Sequence, residues 1–133
     1  MKHSVMLTIA SLLSILLFTL HLADDIRRGM EPGTLTNLTA IPILVLWLYG
    51  TLCLYERRSG YIITLIGGLL AFVVPLVHMR GRGVGVTSKI ATYPGHFFFV
   101  WVLIVLGVTG LFSVILSVCG LWGLRKVRAL PKT

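Results

Sequence analysis

Charged residues are scarce in this sequence: they make up 12% of its 133 residues, about half the roughly 25% of an ordinary soluble domain. Acidic residues are scarcer still, four against twelve Lys and Arg, for a formal net charge of +8. With 56% hydrophobic residues and a mean hydropathy of +0.95, this shortage excludes a water-soluble surface. Apolar side chains in that number face lipid. Cysteine is limited to Cys53 and Cys119, both inside apolar runs, which excludes a disulfide framework. Both are expected to pack as small hydrophobes. Chemical motifs are missing too. There is no G-x-S-x-G, no Cys near a His, no H-E-x-x-H or C-x-x-C, and no phosphate-binding or dinucleotide glycine motif, so the familiar hydrolase, zinc-peptidase and nucleotide signatures are absent.

What is present is a set of four apolar runs, expected to span a bilayer at about 5–23, 40–55, 61–77 and 97–124. The first could be a signal peptide after its basic start, but His21 stands where a cleavage site wants a small residue. An uncleaved anchor is expected. Gly29, Pro32 and Gly33 break the chain after it. Pro42 falls in the first turn of the second run, where its missing N–H costs little. Glu56-Arg57-Arg58-Ser59-Gly60 is a tight turn, forcing the second and third runs to be antiparallel neighbours. Pro75 is a candidate kink or end of the third run. A longer loop, 78–96, contains Gly81, Gly83, Gly85, Pro94 and Gly95, and a basic tail from Arg125 follows the fourth run. The expectation is one domain: an all-α integral membrane protein, a four-helix up-down antiparallel bundle with both termini on one side.

Sidedness follows from Lys and Arg. The side of the termini holds Lys2, Arg57, Arg58, Arg125, Lys126, Arg128 and Lys132; the other holds Arg27, Arg28, Arg80, Arg82 and Lys89. Seven against five favours termini in the cytoplasm, with the plasma (inner) membrane as location. The basic excess is placed at helix ends and anionic headgroups, so lipid rather than nucleic acid is the expected partner. Trp47, Tyr49, Tyr55, Tyr61, Trp101 and Trp122 lie near span ends, as interfacial aromatics do.

Small residues form two stripes: Gly110, Ser113, Ser117 and Gly120 on the fourth helix, and Ser4, Thr8 and Ser11 on the first. In lipid, close backbone approach drives helix association, so these are expected contact faces, within the bundle or with another subunit.

The side away from the termini gathers three of the four His (His21, His78, His96) and three of the four acids (Asp24, Asp25, Glu31). His21, Asp24, Asp25 and Arg28 have i, i+3, i+4, i+7 spacing and share one helical face if the helix continues through Arg28. Three readings stay open. Asp24 and Asp25 pair with Arg27 and Arg28, making a plain polar helix end. Alternatively, imidazoles and carboxylates bind a transition metal such as Zn, Cu or Fe. Or the ionisable groups serve an ion or proton route, although the mid-span segments carry no charge. Arg80 and Arg82, interleaved with glycines, could cradle an anion or headgroup, though a flexible basic surface loop explains them more simply. Asn37-Leu38-Thr39 fits a glycosylation triplet but lies almost against the second span, and chance is the simpler explanation.

The functional expectation is an accessory or scaffold subunit binding other membrane subunits or copies of itself. The alternatives are a metal- or cofactor-dependent redox enzyme using His21, Asp24, Asp25, His78 and His96, and an oligomeric channel or transporter.

Overall fold

The computed structural model describes residues 2–31, 33–79 and 95–129. The elements are α1 (Lys2–Arg27), a 3₁₀ turn (Leu35–Thr39), α2 (Ala40–Leu52), α3 (Arg58–Met79) and α4 (His96–Ala129). The described residues are almost wholly helical. Three helices, α1, α3 and α4, are long and apolar enough to cross a membrane, and α2 is shorter.

The helix ends follow local chemistry. Arg28 N–H still reaches Asp24 O at 2.9 Å; Gly29 then turns left-handed at φ +67°. Gly29 N–H bonds Ile26 O and Met30 N–H bonds Asp25 O. That pair of bonds is a Schellman cap, which needs a residue free to adopt αL. The second apolar run reads as a span to residue 55, but α2 ends at Leu52. The chain turns back over 53–57, with Glu56 at φ +59° and Gly60 packed directly on the Leu54 carbonyl, where any Cβ would clash. Pro75 does not end the third run: α3 continues to Met79. Pro75 is buried and faces Gly107, whose missing side chain leaves room for the ring.

Packing fixes the arrangement. α4 lies most extensively on α3 and next on α1, while α2 rests on α3 and α1 and does not approach α4. The section is a diamond with α1 and α3 across its short diagonal. Ser4 at the start of α1 meets Tyr55 and Glu56 beyond the end of α2. Tyr61 at the start of α3 meets Gly120 near the end of α4. Successive helices therefore alternate in direction, and α1 begins at the end of the bundle where α4 finishes.

The polarity is inverted relative to a soluble bundle. Large apolar side chains such as Leu16, Val45, Ile66 and Val108 face outward. Ser11, Ser14, Ser113 and Ser117 are fully buried, and Thr51 and Thr64 nearly so. Their hydroxyls join the helices: Ser11 to Thr51 at 2.7 Å, Ser14 to Thr109 at 3.0 Å, Thr64 to Ser117 at 3.0 Å. Apolar outside and hydrogen-bonded polar inside is how helices associate where the solvent is itself apolar. The α4 stripe is turned inward onto α3, with Gly110 against Gly68 and Ala71, Ser113 beside Gly68, Ser117 on Thr64 and Gly120 under the Tyr61 ring.

Two placements differ from expectation. Trp47 and Tyr61 are buried rather than interfacial. Trp47 Nε1–H donates to Ser11 Oγ at 2.9 Å, and its ring lies flush on Gly67, so its polar atom is satisfied inside. Cys53 and Cys119 are exposed on the outer surface rather than packed within; the stripe of small residues on α4 turns its other face, including Cys119, outward.

Candidate metal centre

The last two turns of α1 carry His21, Asp24 and Asp25 on one face, which Arg28, the residue after the helix, continues; all four are buried. Because the helical ladder reaches Arg28, its guanidinium swings back to Asp24: Nε donates to Oδ2 at 2.7 Å and Nη2 to Gly95 O at 3.0 Å. Arg27 Nε takes the other oxygen of Asp24 at 3.1 Å. One carboxylate thus holds both arginines, and Arg28 ties the end of α1 to the start of α4. The plain helix-end reading holds for Asp24 and fails for Asp25.

Asp25 faces the bundle interior. Its Oδ2 lies 3.2 Å from His21 Nε2, one turn back on α1, and 3.7 Å from His78 Nε2, near the end of α3. Potential ligand atoms of the three residues all lie within 4.8 Å of one another, and all three residues are buried. The two imidazoles meet edge to face at 4.7 Å between centroids. Phe99, from the first turn of α4, forms the floor at 5.6 Å from His21 and 5.8 Å from His78. Arg28 stacks over the same ring at 4.9 Å. Two hydrocarbon-rich helices therefore deliver two imidazoles and one carboxylate to a single point, and a third closes it.

The polar atoms there are incompletely used. Asp25 Oδ1 and His21 Nδ1 are buried and have no hydrogen-bond partner among the described residues, although each residue is only 5% exposed. Leaving such atoms unpaired in an apolar surround costs about 1–3 kcal/mol each. The cluster borders a cleft of about 260 Å³ between α1 and α3, walled by Phe18, Leu22 and Val77 and bordered by Glu31. About two turns deeper, Trp47, Ala71 and Leu106, with Leu17, Phe18 and Val74 packed on them, fill the section with hydrocarbon.

Two of the three ligand separations match those around a tetrahedral ion. With metal–ligand bonds of roughly 2.0–2.1 Å, the edge of a tetrahedron is about 3.3 Å. The two Asp25-to-imidazole separations, 3.2 and 3.7 Å, bracket that length. His21, Asp25 and His78 would give such an ion three protein ligands, the donor set of some catalytic zinc and non-haem iron sites.

The other candidates fare differently. Asp24 and Arg28 stand beside the cluster and pair with each other. His96 opens α4, but its side chain lies outside the described residues, as do Arg80 and Arg82. Asn37 has a structural use: its Oδ1 accepts from Thr34 N–H at 3.1 Å and its Nδ2 donates to Glu31 Oε2 at 3.3 Å. Sequence reasoning missed Phe99, Trp47 and Ser14 as organisers of the site and its support. Phe99 is three residues beyond His96, and that spacing was the available signal. Comparison with family models, characterised proteins and solved structures returns no match, so any function rests on the chemistry of the site itself.

Proposed function

We propose that this chain is a small membrane protein that binds a divalent transition metal through His21, Asp25 and His78 at one end of its helical bundle. The observation that carries this is the convergence of three ligand-type atoms within 4.8 Å, from two helices, in a buried site. Asp25 Oδ1 and His21 Nδ1 are buried without a hydrogen-bond partner among the described residues, a cost that a bound dication would offset by drawing the three ligand groups onto itself. When bound, such an ion would supply Lewis-acid or redox chemistry according to its identity. Metal analysis of detergent-purified protein is the test. Wild type should hold about one equivalent, and His21→Ala and His78→Ala should each lose nearly all of it. Wild-type protein without stoichiometric metal, after growth and purification free of chelators, sinks the proposal.

The same reading has the chain cross the bilayer four times. The 3₁₀ turn and α2, five and thirteen residues, together rise roughly 30 Å at about 2.0 and 1.5 Å per residue, enough for a hydrocarbon core. Both termini then face the cytoplasm, and the metal centre lies at the opposite rim of the plasma membrane. In a Cys53→Ala/Cys119→Ala background, Thr34→Cys should be labelled by an impermeant maleimide from outside intact cells and Lys132→Cys should not. The reverse pattern overturns the sidedness.

An accessory-subunit role draws on a different feature. Phe97, Phe98 and Trp101 are exposed near the start of α4, on adjoining positions of one helical side, and offer an aromatic surface to another membrane helix or a second copy. Co-purification in mild detergent, lost on Trp101→Ala, tests it; a monomer with no associated protein argues against it.

A further inference from the structure

The end of the bundle opposite the metal centre carries cations gathered around a cleft. Arg58, the first residue of α3, and Arg125, near the end of α4, line a cleft of about 240 Å³ whose other walls are Ile62, Leu121 and Leu124. No lining residue is acidic. The four ion pairs among the described residues all lie at the other end. Glu56, the one acid at this end, accepts a hydrogen bond from Ser4 at 2.8 Å. Arg125 also borders a neighbouring cleft with Val118 and Trp122, and Lys126 Nζ lies 4.4 Å from the Trp122 ring centroid.

Two guanidiniums at the mouth of an aliphatic cleft match a ligand with two parts. The fork of each guanidinium fits phosphate oxygens, and the aliphatic walls fit a hydrocarbon chain. Both parts are met at the depth where a helix end enters the headgroup layer, beside an aromatic–cation pair typical of that layer. We propose that the cleft between the start of α3 and the end of α4 is a binding site for an anionic phospholipid, its phosphate held by Arg58 and Arg125 and its chain laid along Ile62, Leu121 and Leu124. The site stands independently of the metal centre and is built from different residues.

The test uses the full chain reconstituted in vesicles of equal phosphatidylglycerol and phosphatidylcholine, extracted gently and scored for retained lipid by native mass spectrometry. Wild type should retain phosphatidylglycerol in preference by roughly 25-fold, since each of the two arginines near an anionic headgroup is worth on the order of fivefold. Arg58→Gln/Arg125→Gln should bring the ratio near unity. Arg57→Gln/Lys126→Gln, which removes the same charge from the same end, should leave most of it. Ile62→Trp fills the cleft while keeping both arginines, and should also abolish the preference. Excess inorganic phosphate at constant ionic strength should not displace the lipid. An unselective wild type, an equal loss in the two charge pairs, or selectivity surviving Ile62→Trp overturns the proposal. Displacement by inorganic phosphate overturns the lipid assignment in favour of a free-phosphate site.

Discussion

Asp25 and His78 meet across the α1–α3 contact, carboxylate Oδ2 to imidazole Nε2 at 3.7 Å, while Asp24, the residue before Asp25, is turned to Arg27 and Arg28. Consecutive helical positions differ by about 100° around the axis, so two adjacent acids serve two different ends. One closes the helix; the other enters the bundle.

That division predicts opposite outcomes for two isosteric changes. Asp25→Asn removes a ligand charge and should lower metal affinity by more than about 100-fold, beyond the 10–100-fold of a supporting residue, with helicity unchanged. Asp24→Asn should leave the metal ligands intact but weaken the hydrogen bonds to Arg27 and Arg28, costing about 1–3 kcal/mol of stability. Zinc titration and thermal unfolding in detergent separate the two effects.

Metal retention should depend on pH in one direction. Imidazole must be deprotonated to ligate, so protons compete with the ion. Occupancy should be full at neutral pH and fall on acidification, starting at a lower pH the more tightly the ion is held. Zinc release followed with a chelating dye checks this; occupancy that stays level or rises on acidification, with His21→Ala or His78→Ala behaving as wild type does, overturns the imidazole assignment.

Gly67 and Gly120 lie flush against the rings of Trp47 and Tyr61, with no room for a Cβ. Gly67→Ala or Gly120→Ala should therefore destabilise the bundle by about 1–3 kcal/mol through overpacking. Gly123 has open space where a methyl group would project; it is the control and should tolerate alanine. Thermal unfolding in detergent distinguishes them.

Trp47→Phe should be more harmful than its conservative chemistry suggests. It deletes the donor to Ser11 at 2.9 Å and leaves a gap beside Gly67, for about 1–2 kcal/mol in all. Trp101→Phe, on an exposed residue, should change stability by less than about 0.5 kcal/mol. Equal effects would place Trp47 at the lipid surface after all.

Much of the helical outline was legible in the sequence because lipid imposes length and continuous hydropathy, which are one-dimensional properties. The four apolar runs, the turn near Glu56 and the shared face of His21, Asp24, Asp25 and Arg28 all follow from local spacing. Boundaries set by backbone contact were not legible: α2 stops at Leu52 because the return to α3 needs the close approach of Gly60 and the Leu54 carbonyl. The sequence also could not say which aromatics turn inward. Trp47 lies near a span end by number, yet it is buried because Ser11 on another helix accepts its N–H.

The sequence alone thus determined that this is an apolar, helical, basic-ended chain with three of its four acids and three of its four histidines gathered at one end. Tertiary structure decided which of those groups meet. His21 and Asp25 share a helix and a spacing, but His78 joins them only through the packing of α1 beside α3, and Phe99 only through α4. Convergence of side chains from separate helices depends on helix rotation and axial offset, set by contacts such as Gly110 on Ala71 and Ser14 on Thr109, and no pattern along a single helix encodes them.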